Sequence, residues 1–151
     1  MNNISKKIIS AVIMLSLAVV MGGCNNDVVE KSYLHDDDLF IKNHTSGILE
    51  WESTEYEEVV NAPRYFSIGP SEPLYRGVIV LTDEYADEIM EAYEWAPDDS
   101  EIEFSKVDIS ELDGPWLTSD EFSSDVARSE YESFEYLVFN GEALLFTLKT
   151  N

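Results

Sequence analysis

The sequence predicts an α+β fold: a mainly antiparallel sheet with two helices and a C-terminal β-hairpin. Three observations carry this expectation. Strand-like apolar runs cluster at both ends of the globular part of the chain. Two segments between them combine helical apolar spacing with polar capping residues. Asn140-Gly141 separates two apolar runs near the C-terminus, a strong two-residue hairpin signal. Strands segregated from helices belong to the α+β class.

The elements follow in order. Over 47–53, Leu49 and Trp51 alternate with Glu50 and Glu52, the pattern of a half-exposed strand. Residues 55–60 are ambiguous and open to a short helix, which Pro63 would stop. Residues 64–68 read as a strand, and Gly69-Pro70-Ser71-Glu72-Pro73 as a turn. Val78, Ile79, Val80 and Leu81 in succession make 76–81 a buried strand. Thr82 stands at an N-cap, with Asp83 and Glu84 in the first turn, where acid favours the helix dipole. Tyr85, Ala86, Ile89, Met90 and Tyr93 then fall on one helical face, and Pro97 closes the helix. Ile102 and Phe104 alternate with acids over 101–107, which reads as another strand. That leaves a parallel crossover open for 76–107. Asp113-Gly114-Pro115 is a turn. Ser119 caps a second helix expected over 120–131, with Phe122, Val126, Ala127 and Tyr131 as its apolar stripe. The hairpin pairs 136–139 with 143–148, and Asn-Gly predicts a type I′ turn.

Composition narrows the function. The chain has 151 residues, the size of one domain, and sets 31 Asp and Glu against 9 Lys and Arg, a net charge of −22. So large an excess of acid removes the basic footprint of a nucleic-acid-binding protein. One cysteine excludes an internal disulfide framework and a multi-cysteine zinc site. Clustered aromatic and aliphatic residues exclude disorder throughout.

The N-terminus has its own logic. Lys6 and Lys7 precede an unbroken apolar-to-small run of 13 residues, 8–20. A permanent membrane span needs about 20 such residues. The run ends in Met21-Gly22-Gly23-Cys24, an apolar residue and two small ones before the lone cysteine. This segment resembles the signal peptide and lipobox of bacterial lipoproteins, with Met21 where leucine is usual. The resemblance covers residues 1–24 only. It implies a diacylglyceryl group on the Cys24 sulfur and cleavage between Gly23 and Cys24. The chain then divides into a signal peptide at 1–23, an acidic tether at 24–43 and a single globular domain at 44–151. Asp36-Asp37-Asp38 marks the tether, although Val28, Val29, Leu34, Leu39, Phe40 and Ile41 leave room for part of it to pack or to form a short helix. As a coil it would reach roughly 25 Å.

Two acyl chains anchor a protein stably where one does so marginally. Loss of Lys6 and Lys7 leaves 7 basic against 31 acidic residues, a charge of −24. An anionic lipid surface repels such a domain, so the lipid must do the holding.

No catalytic motif stands out. General acid–base chemistry needs two carboxyls in one cleft, and spacing cannot select such a pair from 31 acids. Glu84, Glu88 and Glu91 read as a solvated helix face. His35 and His44 flank Asp36-Asp37-Asp38 at no helical ligand spacing. Asp98, Asp99, Glu101 and Glu103, or Asp108, Glu111 and Asp113, offer oxygen ligands but miss the EF-hand register. There is no nucleophile elbow, zinc-protease helix motif or Gly-rich phosphate loop. A lipidated Cys24 is no free nucleophile. No metal or cofactor is assigned. Among the aromatic residues, Tyr85 and Tyr93 belong to the core face of their helix. Trp116, in Gly114-Pro115-Trp116, is the candidate binding residue.

The expected function is that of a lipid-anchored, extracytoplasmic acidic binding or interaction protein of the bacterial cell envelope. Its partners are the membrane, through the lipid on Cys24, and a cationic protein or peptide. The alternatives are a divalent-cation-associated module and a small envelope hydrolase with an unidentified acidic site. The 128 residues left after residue 23 are too few for the two lobes of a transporter's substrate-binding lipoprotein.

Overall fold

A computed structural model describes residues 28–63, 73–128 and 132–150. In chain order they form β1 (Val28–His35), α1 (Leu39–His44), β2 (Trp51–Pro63), β3 (Leu74–Leu81) and α2 (Asp83–Ala92). There follow β4 (Ala96–Pro97), β5 (Leu117–Thr118), α3 (Asp120–Val126), β6 (Glu132–Phe139) and β7 (Ala143–Thr150). The strands make one seven-stranded sheet in the order β1-β2-β3-β7-β6-β5-β4. Every pairing is antiparallel. The fold is α+β and dominated by its sheet.

The two sheet faces are covered differently. All three helices lie on one: Phe40 and Ile41 of α1, Ile89 of α2 and Phe122 of α3 pack with Ile79, Leu144 and Phe146 of the sheet. The second face carries Val78, Val138 and Leu145, and the strandless segment 98–116 lies over it through Ile102, Val107 and Trp116. Burial on both faces explains the unbroken apolar run of β3.

Local signals hold at the helix starts. The Thr82 hydroxyl accepts from the Tyr85 amide at 3.4 Å, and the Ser119 hydroxyl from the Phe122 amide at 3.4 Å. The second expected helix is shorter than its stripe, however. It ends at Val126, whose carbonyl accepts from the Ser46 amide at 3.1 Å, and Ala127 forms a β-bridge with Thr45. These tertiary bonds satisfy the helix end that a further turn would otherwise occupy.

Five expectations are corrected. Residues 28–43 are folded rather than a free tether, and the packing and short helix left open for them are present: β1 pairs with β2 along its whole length, α1 begins at Leu39, and Phe40, 1% exposed, stacks on Phe146 at 4.2 Å. The described residues form three helices rather than two, α1 being the addition. Of the expected strand at 47–53 only 51–53 is strand, and it runs on through the ambiguous 55–60 as one long strand, β2, held between β1 and β3. Residues 101–107 are no strand; their alternation places Ile102 and Phe104 on the sheet face without ladder pairing. There is no parallel crossover either, since the chain leaves α2 for β4 at the far sheet edge. The expected strand at 64–68 lies outside the described residues, as does most of the 69–73 turn.

The hairpin forms, with its loop one residue further on. The register pairs Phe139 with Leu144, and the Asn140 amide donates to the Ala143 carbonyl at 3.2 Å. Gly141 and Glu142 are therefore the central pair, with Gly141 at φ +95°. A positive φ at the first central position is common to the type I′ and type II′ hairpin turns. The Asn140 side chain accepts from the Glu142 and Ala143 amides at 3.0 and 2.7 Å.

Gly77 sits opposite Tyr56 and Phe146 at the centre of the sheet. A Cβ there would lie 2.4 Å from the Glu55 carbonyl oxygen and 2.6 Å from the Tyr56 Cβ. Gly77→Ala is therefore expected to cost about 1–3 kcal/mol by overpacking. A urea titration would read this as a lower midpoint at unchanged slope.

Candidate functional site: an acid-rimmed groove

Segment 98–116 crosses the second sheet face without strand ladders, so side chains must hold it. The central one is Glu57 on β2, which is 0% exposed. It faces Arg76 across the β2–β3 register, and Arg76 Nε donates to its Oε1. The Ser105 amide donates to the same oxygen at 2.9 Å, and the Ser32 hydroxyl to Oε2 at 2.7 Å. Arg76 also donates to the Ser105 hydroxyl at 2.9 Å and lies 3.7 Å from Glu30. Burial pushes the Glu57 carboxyl up, but the Ser105 amide, the Ser32 hydroxyl and Arg76 outweigh it and hold the group below its usual range. Two further ties fix the segment: the Asp108 amide donates to Glu55 at 3.2 Å, and the Tyr136 hydroxyl to the Ser100 carbonyl at 2.9 Å.

Between this segment and the sheet runs a groove. Its upper part is a cavity of about 510 Å³ floored by Ile102, Ile109, Trp116, Tyr136 and Leu145. A second cavity, of about 450 Å³, shares Glu101, Ile102, Glu103 and Tyr136 and continues towards Leu74 and Thr147. The rim is acidic. Asp98, Asp99, Glu101 and Glu103 all line it, and the last three are exposed. Among the described residues, no lysine, arginine or histidine forms an ion pair with any of these four. Arg76, which borders the second cavity, is already engaged by Glu57 and Glu30.

The residues singled out from sequence are distributed as follows. Trp116 is half-buried against the second core and lines the groove. Tyr85 is buried under α2, its hydroxyl donating to the Gly47 carbonyl, and Tyr93 is half-buried. His35 stacks on Tyr56 at 4.9 Å, and its Nε2 lies 3.5 Å from Glu58. His44 packs between Phe40 and Tyr75, at 5.3 and 4.8 Å. Asp98 and Asp108 each accept from the amide two residues on, at 2.7 and 2.9 Å. Among the described residues no three His, Cys, Asp or Glu side chains converge to hold a metal ion. Gly23 and Cys24 lie outside the described residues. Within those described, no helix is long and apolar enough to cross a membrane.

Sequence reasoning missed Glu57, Arg76 and Tyr136. The available signal was Arg76 itself, a charge beside the apolar run of β3, which demands a buried partner. The partner's identity among so many acids required the register.

Comparison with protein-family models, curated proteins and solved structures gives no match.

Proposed function

We propose that this is a lipid-anchored, extracytoplasmic binding protein of the bacterial cell envelope that recognises a cationic protein or peptide. The anchor rests on the lipobox resemblance ending at Cys24. The binding role rests on one observation: carboxylates without cationic partners among the described residues, gathered on the rim of an apolar groove. Cationic groups are drawn to such a rim, and an apolar floor rewards whatever carries them.

The shortened linker adds a consequence. Only Asn25, Asn26 and Asp27 separate Cys24 from the start of β1. Four residue steps span about 14 Å at full extension. A lipidated Cys24 therefore holds the domain close against the bilayer, and the partner is met at the membrane surface.

The test is retention of labelled oligolysine by the full-length protein in neutral detergent micelles, with oligoglutamate as control. Oligolysine should bind at low ionic strength and be released near 1 M salt, where the screening length is about 3 Å. Absence of oligolysine binding at low ionic strength contradicts the proposal.

A further inference from the structure

We infer that the groove's occupant is an extended peptide segment, basic residues alternating with apolar ones, that docks by strand addition along 101–104. This deepens the binding proposal above and rests on it.

Three features of the groove select this occupant. The first is length: two cavities adjoin, with Glu101, Ile102, Glu103 and Tyr136 lining both, so together they offer a row of sites along the segment suited to a chain. The second is the repeat of its wall. Along 101–104 exposure alternates, with Glu101 and Glu103 outward and Ile102 and Phe104 towards the sheet. Alternate residues of an extended chain recur at about 6.5 Å, so two such carboxylates match basic side chains two apart on an extended ligand. The third is the backbone. Among the described residues, no main-chain hydrogen bond pairs 101–104 with the rest of the protein. Ser105 next to it is instead tied down through its amide to Glu57. An extended segment held in place with unpaired N–H and C=O groups is a template for another strand. A peptide supplies the matching main-chain donors and acceptors, which a simple polyamine lacks.

Charge decides the polarity of that peptide. The rim carries four carboxylates without cationic partners among the described residues, and Arg76 is occupied. Trp116 and Tyr136 present the aromatic surfaces on which Lys or Arg side chains rest favourably.

The experiment uses the full chain in neutral detergent and a fluorescent peptide of four Lys-Val repeats, read by anisotropy at low ionic strength. Binding should weaken tenfold or more for the pair Glu101→Gln and Glu103→Gln, and likewise for Trp116→Ala. The pair Glu84→Gln and Glu88→Gln on α2, which removes the same charge elsewhere, should change it less than twofold. The same peptide with alternate main-chain nitrogens methylated should also bind at least tenfold more weakly. If both glutamine pairs weaken binding equally, the acidic surface acts as a whole and the groove inference is overturned, while the proposed function stands. If methylation has no effect, docking by strand addition is overturned. If the peptide does not bind even at low ionic strength, both fall. Should Trp116→Ala fail to fold, the exposed glutamate pair carries the test alone.

Discussion

Glu57→Ala should destabilise the protein by about 3–5 kcal/mol, the cost of leaving one member of a buried ion pair without the other. Domains of this kind are stable by only about 5–15 kcal/mol in total. The loss is concentrated because three donors depend on one carboxylate. Among the described residues Arg76, its side chain 17% exposed, would retain only the more distant Glu30 as a counter-charge. The Ser32 hydroxyl and Ser105 amide would lose their acceptor. Segment 98–116 would lose its main attachment to the sheet, so the variant should also expose the second core to proteolysis.

The same carboxylate sets an acid limit. Its pKa in the fold lies below the ordinary Glu value of about 4.3 in the unfolded chain. Its contribution is therefore full above that value and lost as pH falls through the folded pKa. Urea midpoints should drop on acidification below about pH 4, and Glu57→Gln should flatten that drop. A Glu57→Ala midpoint equal to that of the unmodified protein would show that the pair does not clamp the groove.

Cys24→Ser should abolish membrane attachment, an effect of all-or-none size. Each buried CH₂ of an acyl chain contributes about 0.8 kcal/mol, and two chains hold where one does not. Charge would not compensate, because the chain from Cys24 onward carries −24, which opposes contact with anionic lipid. The variant should appear in the soluble fraction or accumulate as the precursor with residues 1–23 attached. A Cys24→Ser protein that matures and stays with the membrane contradicts the anchor.

Legibility in the sequence followed the range of the forces involved. Thr82 and Ser119 cap their own helices within three residues, and both caps were readable. The hairpin was readable because Gly141 acts locally, though the exact place of its loop was not, since the register settles which pair is central. β1 was hidden: its Glu30, Lys31 and Ser32 look like linker until β2 pairs beside them. Segment 101–107 misled for the opposite reason. Its alternation is real, but the sheet face enforces it rather than a neighbouring strand. Trp116 stood out as a turn aromatic, and the fold places it in the groove. Glu57 was one acid among many until the fold buried it.

The most direct measurement is the mass of the mature N-terminus, taken on protein purified from its native membrane. The lipid-anchor proposal predicts a chain beginning at Cys24 and carrying a diacylglyceryl adduct on sulfur. A peptide running through Gly23 into an unmodified Cys24 thiol would contradict it.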